Sequence, residues 1–306
     1  MSYLGPRLAL LSRPRTLDYS FLRPILPLGA TLTRADATTC ATRVNGAGLI
    51  ETVAANVPRF NYSGLSAGVL EGLLVEPERT NAVINSDIFN SWSLNHNGTG
   101  VDPVVTANDP THAAPDGTTT ADKIVFDSGA GTTSSDQSQL NSTSFPGVLN
   151  DVWSGRCFCR GTLGAQIQIR HVSGAHTLKT LTGGWDELNN VEVCAATASR
   201  VFTIGVRQGV TGTINSNITV WLWRAGCEIG SSLSSSIATG ASAITRAADI
   251  LRLRNQASGD LPNGLYDVEL QHLSGVTRLA SQAVTAGYYE VPTDVSPLQR
   301  VLLRRH

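Results

Sequence analysis

Short apolar runs, each closed within a few residues by a turn-forming cluster, recur through the middle of this chain and leave little choice of fold. "DVWSGRCFCRGT", "AQIQIRHVSG", "NNVEVCAAT", "RVFTIGVRQG" and "SNITVWLWRAGCEIG" follow one another over residues 151–230. All are rich in β-branched or aromatic residues, and all alternate or run apolar over a strand's length. No amphipathic helix longer than about two turns can be read anywhere. Charged residues make up only 15 % of the chain, against about 25 % in an average globular protein. Gly, Ser, Thr, Asn and Ala fill the difference, as expected for many short strands joined by tight turns. The chain is therefore expected to be all-β, with a central sandwich or jelly roll.

Its 306 residues leave room for more than that sandwich. Residues 1–30 carry Pro6, Pro14, Pro24 and Pro27, which forbid a long helix or a central strand and predict an extended anchoring arm. Residues 31–85 predict a double-hairpin collar. "ATRVNGAGLIETV" is a strand, an Asn45-Gly46 turn and a strand. "PRFNYSGLSAGVLEGLLVEP" repeats the plan. Residues 86–250 form the sandwich, and residues 251–306, richer in Arg and Leu, predict a small C-terminal β-module.

The formal net charge of −1 gives no electrostatic reason to expect nucleic acid as a partner. No apolar run approaches the roughly 18 residues of a membrane span, and no signal peptide is read, so neither membrane insertion nor general secretion is expected. The cysteines, Cys40, Cys157, Cys159, Cys194 and Cys227, are odd in number and set among apolar neighbours. That pattern predicts free thiols in a reducing compartment. Their spacing lacks a zinc signature. The histidines show no HExxH pairing, and GxSxG and P-loop patterns are absent. No catalytic residue and no cofactor is expected. Asp102, Asp109, Asp116, Asp122 and Asp127 lie in turns and offer loop oxygens to a structural Ca²⁺.

Two clusters carry the functional question. In "GLLVEPERTN", residues 72–81, Glu76 and Glu78 project to one face about 6–7 Å apart if extended, a spacing that glycoside hydrolysis can use. Pro77 lies between them, and Arg59 and Arg79 are charge partners. The favoured reading is a structural corner of Arg59, Glu76, Glu78, Arg79 and Asn81, with Arg79 gripping a carboxylate and Asn81 capping the turn. The second cluster is aromatic. In "VWLW", alternation puts Trp221 and Trp223 on one sheet face and Val220 and Leu222 on the other. Trp185, in the polar stretch "TGGWDELNN", is the best candidate for stacking on a sugar ring, and Trp221 and Trp223 are further glycan-binding candidates, weighed against a place in the sandwich core.

Residues 31–92, "TLTRADATTCATRVNGAGLIETVAANVPRFNY…GLLVEPERTNAVINSDIFNSW", closely resemble the N-terminal region of bacteriophage virion appendage proteins of the tail-fibre, minor-tail and head-attached types. "APDGTTTADKIV" at 114–125 and "CEIGSSLSSSIATGASAITRAADIL" at 227–251 continue the resemblance. One departure is Cys227, where that family usually has Gln. The resemblance implies a jelly roll like that of concanavalin and of carbohydrate-binding modules, in a structural protein assembled in the host cytoplasm and carried in the virion. It implies other virion proteins as neighbours at the tail or head, a symmetric oligomer with a trimer first in line, and host-surface polysaccharide as a partner for the outward face. A capsid or collar decoration protein that only cements the particle is the alternative. A polysaccharide depolymerase is the third reading.

Overall fold

The computed structural model describes residues 16–36, 40–65, 68–172, 174–209, 216–257 and 259–306. Among them the chain is all-β, with a single 3₁₀ turn at Phe89–Ser91 and no helix long and apolar enough to cross a membrane.

The central sandwich is two five-stranded antiparallel sheets. One runs Trp185–Val193, Val152–Gly161, Asn217–Ile229, Asp122–Asp127, Val101–Thr106. The other runs Thr177–Thr180, Gln166–Arg170, Thr203–Arg207, Gln137–Asn141, Ser93–Asn97. Most successive strands change sheet. Asp122–Asp127 therefore lies beside the last strand, and Gln137–Asn141 beside the one before it, which is the crossing pattern of a jelly roll. Alternation along each strand fills the space between the sheets. Ile124, Phe126, Leu140, Ile167, Ile204 and Leu222 are fully buried there.

A bulge retunes that alternation in the longest strand. Arg224 takes a φ of +44°, and the register against Val152–Gly161 slips between Cys157 and Phe158. Val220 and Leu222 face the sandwich interior before the bulge, and Ala225 and Cys227 face it afterwards. Without the extra residue, period-2 alternation would carry Arg224 and Glu228 inward.

A second body lies outside the sandwich. Its main sheet runs Gly275–Val284, Gly264–His272, Asp294–Arg305, Leu70–Val75, Phe60–Tyr62, and Thr16–Ser20 pairs along Asp294–Arg305. Ala30–Thr33, Ile250–Leu253 and Tyr289–Val291 form a three-stranded sheet. Both sheets share one core, built from Tyr19, Phe21, Leu73, Leu251, Leu253 and Val301 among others.

That packing differs from the expected division into arm, collar and terminal module. Residues 1–15 of the arm lie outside the described residues. From Thr16 onward the arm is a strand, because "TLDYS" is free of proline and alternates, with Leu17 and Tyr19 turned inward. Strands from all three expected units bury one another's apolar faces, and a short strand has no other way to cover its own.

The two expected hairpins form at Thr42–Val44/Ile50–Thr52 and Phe60–Tyr62/Leu70–Val75. The first turn is longer than a two-residue Asn-Gly turn. Asn45 Oδ1 accepts the amides of Ala47 (3.0 Å) and Leu49 (3.1 Å), and the positive φ falls on Gly48. The asparagine works through its side chain rather than through its backbone freedom.

Tyr19 separates an integral strand from a detachable arm. It is fully buried, and its hydroxyl donates to the Arg254 carbonyl at 2.6 Å. Tyr19→Ala is expected to cost about 3–5 kcal/mol in denaturant unfolding, as for other large buried aromatics. A loss below about 0.5 kcal/mol would show that residues 16–20 do not belong to the core.

Candidate functional site

The residues around "GLLVEPERTN" form a buried ionic node. Glu76 is met by Arg59 at 2.7 Å and by Arg246 at 2.9 Å. Asp249 is met by Arg34 at 3.2 Å and by Arg59, and Arg34 also pairs with Asp36. All six side chains are at most 1 % exposed, and their three positive and three negative charges balance. Much of the remaining capacity goes to backbone and to Ser235, while Arg59 Nε and Arg246 Nε are buried without a partner among the described residues. Arg34 donates to the carbonyls of Val53 and Ala54, Arg59 to that of Thr42 and Arg246 to that of Pro77. Ser235 donates to Glu76 from its amide (2.6 Å) and its hydroxyl (2.8 Å). The Glu76 amide donates to Asp249 at 2.9 Å.

The structural corner expected from the sequence is therefore present, with a different membership. Arg59 and Glu76 are in it. Asn81 is buried beside it, where Oδ1 accepts the amides of Val83 and Cys227 and Nδ2 donates to the carbonyls of Ala225 and Ile237. Glu78 is exposed and Arg79 half-exposed. Arg79 grips no carboxylate. Pro77 and the start of the Arg79–Asn81 strand turn both residues away, and the Arg79 guanidinium lies against Gly230 instead. Arg34, Asp36, Arg246, Asp249 and Ser235 supply the rest, and nothing in the spacing around residue 76 pointed to them. The one signal was the pair of short strings "TRAD" at 33–36 and "TRAAD" at 245–249.

Glu76 is poorly placed for acid/base chemistry. Burial by itself would raise its carboxyl. The charges of Arg59 and Arg246 and the bonds from Ser235 outweigh burial and hold it down at about 2.

The three tryptophans lie together on the outer face of the sheet that carries Asn217–Ile229, opposite Val220 and Leu222. Trp223 is fully buried, donates to Thr120 Oγ1 at 3.2 Å and packs on Phe158. Trp221 donates to Asp109 at 3.0 Å and meets His112 edge-on. Trp185 donates to the Ala113 carbonyl at 2.9 Å and is half-exposed. All three indole N–H groups are thus spent on the segment Asp109–Thr120, which covers this face. Trp185 is a wall of a cleft rather than a free-standing platform.

The turn aspartates are not brought together. Asp109, Asp116, Asp122 and Asp127 each accept bonds from nearby amides, and Asp102 meets His96 at 2.7 Å. No three His, Cys, Asp or Glu side chains converge among the described residues. The five cysteines are free and buried, and burial pushes the Cys157, Cys159 and Cys227 thiols well up.

A cleft of about 500 Å³ opens where the second body meets the outer face of the sandwich. Tyr62, Trp185 and Phe158 are its aromatic walls, and Glu71, Glu187 and Asn189 its polar ones. Tyr62 and Trp185 are both half-exposed. Glu71 is oriented by Asn61 at 2.8 Å, and Glu187 by Arg156 at 3.0 Å. Among the described residues only one oxygen of each carboxylate is engaged. Arg156 is itself tied back to Glu228 (3.8 Å) and the Ser234 carbonyl, so the ionic corner and the cleft share a wall. Of the residues expected at a binding face, only Trp185 lines this cleft. Tyr62, Glu71 and Glu187 carry no sequence signal beyond their place in a strand.

No protein-family profile and no curated protein matches the chain. Solved structures give distant likenesses. The enzymatically active domain of tailspike protein 4 of bacteriophage CBA120 is 8 % identical with a TM-score of 0.32, covering 49 % of this chain, which spans only 21 % of that one. TmCBM61, a carbohydrate-binding module solved with β-1,4-galactotriose, is 13 % identical with a TM-score of 0.32, covering 49 % of this chain and 99 % of that one. A carbohydrate-binding module of the β-sandwich superfamily is 12 % identical with a TM-score of 0.36, covering 71 % and 98 %.

Glu76→Gln is expected to destabilise the fold by about 3–5 kcal/mol, because it leaves two buried guanidinium groups short of charge. The linkage sign is definite. Glu76 sits at about 2 when folded, against an ordinary 4.5. Its contribution is complete above about 4.5 and drains away as pH falls towards 2. Acid titration followed by circular dichroism should show this loss, and Glu76→Gln should flatten that limb. An unchanged acid limb in the variant would refute the role given to the node.

Proposed function

We propose that this protein is a non-enzymatic structural component of a phage virion appendage that binds host-surface glycan in the cleft between its two bodies. The observation that carries the binding reading is the pairing of half-exposed aromatics, Tyr62 and Trp185, with the oriented carboxylates of Glu71 and Glu187. Sugar rings present apolar C–H faces to aromatic walls and rims of hydroxyl donors to carboxylates. The cleft offers both within about 500 Å³, inside the range of small-ligand sites of about 300–1,000 Å³.

The placement in a virion rests on the sequence resemblance over residues 31–251. The fold is compatible with attachment at one pole. Thr16 pairs with Arg304, so the strands nearest the two ends of the described chain leave one sheet side by side. A single such cleft would bind weakly, and repetition in an assembly would make it effective. Turnover is not part of the reading: Glu76 is locked in the ionic node, Glu78 lies apart from it, and the cleft carboxylates Glu71 and Glu187 are assigned to accepting sugar hydroxyls.

A glycan array followed by calorimetry on the intact chain tests the proposal. At least one oligosaccharide should bind. Tyr62→Ala should weaken it by about ten-fold, or about 1.4 kcal/mol, and Glu187→Gln should weaken it with unchanged thermal stability. Binding to no member of a broad panel, or equal affinity in both variants, would defeat the reading.

A further inference from the structure

Two apolar features of the surface are a loop on one body and a socket on the other. The loop is "LRPILPL", residues 22–28. Leu22, Ile25 and Leu28 are 52 %, 68 % and 75 % exposed. Leu26 packs into the second core and anchors the segment. The loop is held rigid from within. The Ile25 amide bonds to the Arg23 carbonyl at 2.7 Å across Pro24, and the Ala30 amide to the Pro27 carbonyl at 3.0 Å. Gly29 closes that second turn at φ +82°, where a Cβ would fall 2.5 Å from the Arg254 carbonyl oxygen. Three large aliphatic side chains are thus presented in a fixed shape, which removes much of the ordering cost of binding. Arg23 stands exposed among them, with no ion-pair partner among the described residues.

The socket is a cavity of about 690 Å³ at one end of the sandwich. Phe145, Pro146, Val148, Trp153 and Ile229 form its apolar walls. Val148 and Ile229 are each 52 % exposed. Glu78 and Asp151 also line it, and neither has an ion-pair partner among the described residues. Below its surface, Trp153 Nε1 and Arg79 Nε are shut from solvent without acceptors among the described residues. A buried indole N–H normally finds one.

The two features complement each other. The loop offers aliphatic knobs, one free cation and, because prolines lack N–H groups, an excess of carbonyl acceptors. The socket offers apolar walls and two free carboxylates against the one guanidinium of Arg79, which leaves it net negative. We propose that the Leu22–Leu28 loop of one copy of this chain seats in the Phe145–Trp153–Ile229 socket of the next, with Arg23 against Glu78 and Asp151. The contact joins two different patches, so it is heterologous, and repetition closes a ring or propagates a filament according to the rotation it imposes.

Light scattering on the full-length chain across a concentration series tests this, with circular dichroism confirming that each variant folds. The wild type is expected to assemble beyond a monomer. Ile25→Glu and Ile229→Glu, both at exposed positions, should each shift assembly by at least ten-fold in concentration. Mixing the two variants is decisive. One retains a socket and the other a loop, so the mixture should give a heterodimer and nothing larger. Arg23→Glu should weaken assembly, and Glu78→Arg added to it should restore it. A wild type that stays monomeric, single variants that assemble like the wild type, or a mixture that stays monomeric would each overturn the proposal.

Discussion

Three arginines and three carboxylates shut away from water hold this molecule in one arrangement. Arg34 comes from the strand region near the N-terminus and Arg59 from the second hairpin. Glu76 ends that hairpin, and Arg246 and Asp249 lie after the sandwich. Taking each of these ions out of water costs several kcal/mol, and only mutual pairing with saturated hydrogen bonding offsets that cost. The node is therefore weak as a source of net stability and strong as a source of register. Any arrangement that displaces one member strands another charge. The segments that carry the six side chains are far apart in sequence, so the node fixes how they lie against one another.

The cleft borders this node, sharing Glu76, Ser234 and Ser235 with it. Its floor is sheet, its aromatic walls come from both bodies, and Arg156 ties one of its carboxylates back to Glu228 at the edge of the node. The Arg224 bulge matters here, since it keeps Glu228 on the outer face where Ser234 and Arg156 can use it. The side chains that line the cleft are thus held in place by their own neighbours, which is the preorganisation that the proposed glycan binding would draw on.

Much of the fold was legible in the sequence because it rests on local rules. Period-2 runs and turn residues mark the strands of the sandwich, and the alternation in "VWLW" assigns its faces correctly. The placement of Thr16–Ser20 was not legible. Proline density argued for a loose arm, while the decisive fact is a partner strand some 280 positions later. Local rules say nothing about such pairings. The ionic corner was half legible. Glu76 and Arg59 announced themselves as a charge cluster beside a proline, and Arg79 was assigned to it by proximity in sequence alone. Its true counterparts, Arg246 and Asp249, sit about 170 residues away in a string whose only mark is one cation shortly before one acid. The cleft was least legible, since a tyrosine and a glutamate in short strands look the same whether they face solvent, core or ligand.

The pairing of Thr16–Ser20 with Asp294–Arg305 has a mechanical consequence. The strands run antiparallel, with Thr16 opposite Arg304. Forces pulling the two ends apart would open that ribbon from its tip, one rung after another, which is the weak direction for a sheet. Held together at one mounting point, the same two strands feel no such peeling. Load applied at the far sandwich then passes to the second body through the Ser234–Ser235 segment, which Arg156 and Glu228 hold from one side and Glu76 and Arg246 from the other. A molecule built this way is frail when stretched end from end and tough when clamped at one pole.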